Sequence, residues 1–233
     1  MNCIERVDWD SNFFGFEIGR ITIDDLNGFN YKDFKNESEK YRLVYVLSKD
    51  NLNLNNLTLV DNKVVFHREN ISNINRLSFT ENMVLFDERK HDVDQLVSLA
   101  LESGVYSRFY LDKNFKNGEY RKLYTEWILK SINGELAFNI LIANEKSKIL
   151  GFTTIVKKNE ILADIGLVAV HKDARGRGIG MGLINKTIEI ARESNFKEIQ
   201  VVTQMDNIPA RKLYTNANFV IKDNINIYHF WNL

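Results

Sequence analysis

The segment from Val170 to Leu183, VHKDARGRGIGMGL, holds the residues with the clearest chemical potential. Arg175, Gly178 and Gly180 form an R-x-x-G-x-G pattern that follows an apolar run and opens a helical pattern at Gly180–Ser194. Glycines let the backbone approach an anion closely, and a helix start offers N–H groups and a favourable dipole. Arginines add charge-assisted hydrogen bonds. The segment therefore predicts a pyrophosphate-binding loop.

Two common phosphate-binding loops do not fit this spacing. A dinucleotide-binding loop needs a third glycine where Met181 or Leu183 stands, and a P-loop needs a Gly-Lys-Ser or Gly-Lys-Thr run that does not follow here. Between a strand and a helix, R-x-x-G-x-G instead resembles the acyl-CoA loop of the GNAT superfamily of N-acetyltransferases. The resemblance implies that six residues hold the CoA pyrophosphate: Arg175, Gly176, Arg177, Gly178, Ile179 and Gly180. A solvated, basic, glycine-rich turn is the alternative.

Composition narrows the class of protein. The chain has 233 residues with 31 Lys and Arg against 31 Asp and Glu, so no net charge attracts nucleic acid or an anionic membrane. Its single cysteine, Cys3, excludes an intramolecular disulfide, and we find neither a signal peptide nor an apolar stretch near the roughly 20 residues of a membrane span. The four histidines are scattered, without metal-ligand spacing. We expect a cytoplasmic enzyme without a metal or membrane insertion.

Downstream of residue 135 the hydrophobic pattern predicts an ordered series of elements. They are strands Leu136–Ala143, Ile149–Lys157 and Ile161–Val170, the helix after the glycine loop, strand Glu198–Thr203, helix Pro209–Ala217, and a terminal hairpin of strands Phe219–Ile221 and Ile225–Trp231. Helices Asp92–Glu102 and Glu119–Ile132 precede this series, with the aromatic loop Ser103–Gly118 between them. This order resembles the GNAT fold, an α/β architecture with a mixed, largely antiparallel central sheet flanked by helices.

The first 85 residues predict a smaller α/β arrangement. Its elements are strands Phe16–Ile23, Tyr41–Leu47, Thr58–Arg68 and Phe79–Phe86 and a helix within Tyr31–Tyr41. We therefore divide the chain into a small N-terminal α/β domain, residues 1–86, and a GNAT acyltransferase domain, residues 87–233. The terminal hairpin is compatible with a sheet shared in a homodimer and equally with a monomer.

A second motif lies in the short helix near residue 210. The run Asn207-Ile-Pro-Ala210-Arg-Lys-Leu213-Tyr214 matches the N-x-x-A-x-x-x-Y segment of GNAT enzymes. Asn207 can cap this helix or bond to the pantetheine arm of CoA. The resemblance implies that the Tyr214 phenol protonates the departing thiolate, whereas a core tyrosine is the alternative. Asn218-Phe219 departs from the usual Gly-Phe, a mild change because Asn tolerates the left-handed conformation.

The strand before the glycine loop is the third candidate region. Gly166 in the strand interior is consistent with a β-bulge. The resemblance implies that backbone amides around Leu167 and Val168 meet the thioester oxygen and that Val170 holds the pantetheine. Asp164 stands where protein-acetylating members carry a glutamate general base. A solvent-exposed carboxylate, with a water relay in its place, is the alternative.

The aromatic loop suggests the acceptor. The patterns S-R-F at 107–109, Y-x-x-W at 124–127 and Q-M-x-N-x-x-A at 204–210, with the opening W-x-x-x-F-F-G at 9–15, resemble the GNAT enzymes that acetylate dTDP-fucosamine in surface-polysaccharide (lipopolysaccharide) synthesis. This implies a nucleotide-linked amino sugar held by Tyr106, Arg108, Phe109, Tyr124 and Trp127. Packing of Tyr124 and Trp127 on a buried helix face is the alternative for those aromatics, and Phe13-Phe14-Gly15 is assigned to domain packing.

The most specific interpretation is therefore an acyl-CoA-dependent N-acyltransferase of EC class 2.3.1. Its donor is acetyl-CoA or a longer acyl-CoA, and its acceptor is the amino group of a dTDP-linked deoxyamino sugar. The amine position (C-3 or C-4) and the acyl length stay open. A GNAT acetyltransferase of a protein, peptide or small-molecule amine is the first alternative, and a non-catalytic acyl-CoA-binding domain is the second.

Overall fold

The computed structural model describes residues 3–26, 28–71 and 82–232, and within these ranges the chain forms ten strands and seven α-helices. In chain order they are β1 (Glu5–Arg6), α1 (Asp8–Phe14), β2 (Ile18–Ile23), α2 (Tyr31–Ser38), β3 (Leu43–Ser48), β4 (Leu57–Arg68), β5 (Met83–Leu85), α3 (Val93–Ser103), α4 (Arg108–Leu111), α5 (Glu119–Ile132), β6 (Asn139–Glu145), β7 (Lys148–Lys157), β8 (Leu162–Val170), α6 (Ile179–Glu193), β9 (Glu198–Gln204), α7 (Ile208–Asn216) and β10 (Val220–Trp231). A 3₁₀ turn, Lys172–Ala174, lies between β8 and α6.

By the density of their contacts, these elements form two compact units. The smaller comprises Met1–Val64, Gln204–Asp206 and Asp223–Leu233, and the larger comprises Val65–Thr203 and Asn207–Lys222. Contact density does not measure independent folding, so the division of the sequence into residues 1–86 and 87–233 stays a prediction.

Strands of the smaller unit pair in both parallel and antiparallel directions. Strand β1 pairs antiparallel with β2, β2 pairs parallel with β3, and β3 pairs antiparallel with β10. Helix α2 begins at Tyr31 because the Asn30 side chain accepts the backbone N–H groups of Lys32 and Asp33. The apolar core of this unit includes Ile21, Ile23, Phe34, Val44, Val46 and Phe230.

The larger unit contains the predicted acyl-CoA and acceptor residues. Its strands β5, β6, β7 and β8 pair antiparallel in succession, and β8 pairs parallel with β9. Strand β7 is buried at every residue from Ile149 to Ile155, as expected for a strand covered on both faces. Leu96 and Leu99 of α3 share a core with Phe152, and Leu183 of α6 shares another with Leu150. This packing fixes the start of α6 beside the end of β8.

The predicted mixed, largely antiparallel sheet flanked by helices is confirmed. The prediction of a terminal hairpin is wrong, because β10 runs unbroken from Val220 to Trp231. Residues Lys222-Asp223-Asn224, which separate the two predicted strands, lie exposed along β10. The hairpin therefore gives no support to a dimer. Of the predicted strand Phe79–Phe86, residues 79–81 lie outside the described residues, and β5 (Met83–Leu85) is the strand found in the rest. Elements β1, α1 and α4 were not predicted.

Candidate active site

The glycine loop leaves β8 at Val170 and turns back into α6. Gly176 and Gly178 have φ of +76° and +79°, in the left-handed region that favours glycine. A Cβ built on either residue would meet no atom within 4 Å. Backbone conformation, and not crowding within the protein, therefore requires glycine at both positions, and the space beside them is open.

Helix α6 starts at Ile179 without a side-chain cap. Its N-cap residue is Gly178, which has no side chain to accept the first N–H groups, and the first turn carries no acidic residue. The first N–H groups of a helix have no partner within the helix, and its dipole places partial positive charge there. The start of this 15-residue helix is therefore suited to binding an anion.

The two loop arginines are partly engaged by the protein itself. Arg175 donates from Nε to the Val170 carbonyl at 3.1 Å, and its guanidinium lies 3.5 Å from Glu102 Oε2. The Arg177 guanidinium donates to Glu145 Oε1 at 2.8 Å. Exposed ion pairs of this kind are weak. An arriving phosphate can therefore replace either carboxylate.

Gly180 brings the loop against α7. A Cβ on Gly180 would lie 3.3 Å from Leu213 Cδ2 and 3.6 Å from Val170 Cγ2, so the absence of a side chain permits the close approach of α6 and α7. Asn207 caps α7, since its Oδ1 accepts the Ala210 N–H at 3.3 Å. The capping role is thus observed, and a bond from Asn207 to pantetheine stays a prediction.

Tyr214 follows Leu213 on α7 and is buried, with 4% of its surface exposed. Its ring centroid lies 5.6 Å from that of Phe66 and 6.1 Å from that of Phe219. Burial raises the pKa of the phenol well above its usual value, because the phenolate would lose its solvation. Tyr214 therefore stays protonated at neutral pH, the form that a proton donor needs.

The predicted bulge in β8 is present. Thr153 faces Val168 and Ile155 faces Ile165, so Thr154 of β7 opposes both Gly166 and Leu167. The Leu167 N–H donates to Thr154 Oγ1 at 2.8 Å. Of the two amides predicted to meet the thioester, that of Leu167 is thus already bonded within the protein.

Asp164 precedes the bulge. It stands opposite Val156 on β7 and Gln200 on β9, and it is partly exposed. In the described part of the chain, the parallel pairing of β8 with β9 covers Leu162–Ile165 and does not extend past the bulge. Asp164 therefore lies where the two strands are still paired, and its role as general base stays a prediction.

The acceptor residues fall into two groups. Phe109 and Tyr124 are buried, and a Cβ on Gly104 would collide with the Tyr124 ring, so both rings pack in the protein interior. Tyr106, Arg108 and Trp127 are partly exposed. The Arg108 guanidinium lies over the Phe109 ring, 4.4 Å from its centroid. The second group is the one that can also contact a ligand.

Sequence reasoning missed three side chains that the structure places at the site: Thr154 beside the bulge, and Glu102 and Glu145 beside the loop arginines. No local signal marks them, because each partner lies far away in the sequence. Among the described residues there is no group of His, Cys, Asp or Glu side chains arranged for a metal ion. In the same ranges, none of the helices combines the length and apolarity that crossing a membrane requires.

A family model and a curated relative both indicate that the chain is a GNAT acetyltransferase. The model of the acetyltransferase (GNAT) family matches residues 105–219. Streptothricin acetyltransferase A of Bacillus subtilis is 30% identical over 125 residues, which are 52% of this chain and 69% of that protein. The spore coat polysaccharide biosynthesis protein SpsD of the same organism is 26% identical over 141 residues, 60% of this chain. The chain spans only 48% of the length of SpsD.

The fold is shared with solved structures. A GCN5-related N-acetyltransferase from Sphaerobacter thermophilus superposes with a TM-score of 0.57 and 12% identity, over 90% of this chain and 72% of that one. At this level of identity the likeness concerns the fold alone.

Proposed function

Because the chain belongs to the GNAT acetyltransferase family, we propose that it is an acyl-CoA-dependent N-acyltransferase that acts on the amino group of a dTDP-linked deoxyamino sugar. The observation that carries the first half of this proposal is the start of α6, which has no side-chain cap and lies directly behind two left-handed glycines. A helix start with these features is suited to a pyrophosphate.

The residues present fit CoA. The backbone from Gly176 to Gly180 supplies N–H donors, with no Cβ atom at Gly176 or Gly178 in the open space beside them, and Arg175 and Arg177 supply positive charge in the same loop. Past the bulge, the edge of β8 around Val168 and Val170 offers backbone groups to the amide-containing pantetheine arm. The bound acyl-CoA would supply an activated thioester.

Each catalytic requirement has a candidate among the chain's own residues. The Val168 amide is the proposed donor to the acyl oxygen, and the phenol of Tyr214, kept protonated by burial, is the proposed donor to the departing sulfur. The amine must lose a proton, for which Asp164 or a water relay is proposed.

The sugar acceptor rests on different support. SpsD is by name a protein of polysaccharide biosynthesis, and the aromatic loop resembles that of dTDP-amino-sugar acetyltransferases. Arg108 is suited to a diphosphate, and Tyr106 and Trp127 offer partly exposed rings to a base or sugar. A small-molecule amine is a second candidate, because streptothricin acetyltransferase A is similar over 69% of its length.

The test measures CoA thiol release from acetyl-CoA with four acceptors: dTDP-4-amino-4,6-dideoxygalactose, its 3-amino isomer, streptothricin and a peptide amine. We expect release with one nucleotide sugar only. Release with streptothricin or the peptide alone would refute the sugar acceptor and leave acyl transfer standing. Failure to bind acetyl-CoA by calorimetry would refute acyl transfer itself.

A further inference from the structure

The bulge in β8 has a dedicated partner on β7. Thr154 is 1% exposed, and its Oγ1 accepts the Leu167 N–H at 2.8 Å. A Cβ on Gly166 would lie 2.9 Å from the same oxygen, closer than real Cβ contacts allow. The Thr154 hydroxyl therefore occupies the space that Gly166 leaves open, and it satisfies an amide that the bulge removes from regular strand pairing.

The neighbouring amide points the other way. His171 N–H donates to the Leu150 carbonyl at 2.8 Å, and the facing pairs that follow are Val170–Gly151, Ala169–Phe152 and Val168–Thr153. In an antiparallel pair, residues alternate between bonding the partner strand and pointing away from it. Val168 is therefore in a position whose N–H points away from β7, toward the side where the pairing of β8 with β9 has ended at Ile165. The Val170 carbonyl fits this alternation, since it is bonded by Arg175.

We propose that Thr154 is a positioning residue: by holding the Leu167 N–H, it fixes the register of the bulge and thereby presents the Val168 N–H to the acyl carbonyl. This inference rests on the proposed acyltransferase function. Without the hydroxyl, the partly buried Leu167 N–H loses its acceptor. A shift in the pairing of β7 with β8 would then give this N–H a new acceptor. A shift of one residue reverses the direction in which every later amide of β8 points.

The chain offers a matched control in the adjacent residue. Thr153 is fully buried like Thr154, and its Oγ1 shares a hydrogen bond with Thr187 Oγ1 at 2.7 Å. Successive side chains of a strand point to opposite faces, so Thr153→Val removes a buried hydroxyl bond of β7 away from the bulge. Thr154→Val removes the bond to Leu167, and Thr154→Ser keeps an oxygen in place.

The first readout needs no acceptor. The infrared band of the acyl carbonyl is measured for [1-¹³C]acetyl-CoA bound to each protein, since a hydrogen bond to this oxygen lowers its stretching frequency. We expect the band to move to higher frequency in Thr154→Val and to stay at the wild-type value in Thr153→Val and Thr154→Ser. Exchange of the Leu167 amide with deuterium in the ligand-free protein should accelerate only in Thr154→Val.

With the acceptor in hand, kcat should fall about 10- to 100-fold in Thr154→Val, as expected for a misplaced donor, while the affinity for acetyl-CoA is kept. An unchanged band in Thr154→Val with acetyl-CoA bound would overturn this inference alone. Equal shifts in Thr153→Val and Thr154→Val would also overturn it, because they would reflect general weakening of β7. Absence of acetyl-CoA binding in the wild type would overturn the proposed function and this inference with it.

Discussion

Replacing Gly178 by alanine should weaken acyl-CoA binding while leaving the folded protein almost intact. A Cβ at this position meets no protein atom within 4 Å, so the substitution creates no clash in the ligand-free protein. Its φ of +79° makes alanine unfavourable by about 1–2 kcal/mol. The added methyl group would stand at the helix start, where the pyrophosphate is proposed to bind. Loss of one hydrogen bond to a charged group costs about 1.5–3 kcal/mol, which corresponds to about a 10- to 100-fold weaker affinity.

Gly134 provides the matched control, since its φ is +77° and a Cβ there also meets nothing within 4 Å. Gly134→Ala should carry the same conformational cost, which for a chain of this size lowers Tm by roughly 2–4 °C for each 1 kcal/mol. We would measure Tm by thermal melting and the Kd of acetyl-CoA by calorimetry for both variants.

The expected pattern is a similar fall in Tm for the two variants and a loss of acetyl-CoA affinity in Gly178→Ala alone. Wild-type affinity in Gly178→Ala would refute the placement of the pyrophosphate at the start of α6. A parallel loss of affinity in Gly134→Ala would show that the effect comes through stability.

Three other outcomes are expected. Tyr214→Phe keeps the ring contacts with Phe66 and Phe219 but removes the proton donor, so turnover should fall about 100-fold or more with acetyl-CoA affinity retained; an unchanged rate would remove the phenol from the reaction. The same variant should resist alkali better: the phenol's pKa is raised on folding, so its stabilising effect is complete below the unfolded value of about 10 and is lost as pH rises above it. The free energy of unfolding, measured with denaturant above pH about 10, would show the same pH dependence in the wild type and in Tyr214→Phe if the phenol were exposed to solvent. Arg108→Ala should raise the KM for the nucleotide sugar and spare that for acyl-CoA, and equal changes in both would contradict a role at the acceptor.

Elements with strong local patterns could be predicted from the sequence. Helix α5 has the predicted bounds Glu119–Ile132, and β8 begins one residue after the predicted start at Ile161. The terminal hairpin failed because Asp223 and Asn224, typical of turns, are also tolerated on an exposed stretch of strand. There the pairing of Asn226–Trp231 with β3 favours one continuous strand.

The candidate site likewise contains residues that the sequence marks locally and residues that only the tertiary structure brings to the site. The glycines of the loop and the glycine in the strand interior stand out in the sequence itself, and at Gly176 and Gly178 the left-handed backbone conformation requires glycine. The partner of the bulge does not stand out, since Thr154 comes to face Gly166 only through the register between β7 and β8. The contact of Arg177 with Glu145, 32 residues earlier, likewise depends on tertiary structure.

The ion pairs of Arg175 and Arg177 mean that an anionic ligand must compete with carboxylates of the protein for these two guanidinium groups. In the ligand-free protein, carboxylates of Glu102 and Glu145 already occupy part of the guanidinium surface. A small anion that contacts one arginine must displace the paired glutamate, so it replaces one ion pair with another and gains little free energy. An anion long enough to engage both arginines and the start of α6 together gains several contacts in one binding event. Because such exposed ion pairs are weak, we expect the two glutamates to give only a small preference for the extended diphosphate of the proposed coenzyme over inorganic phosphate.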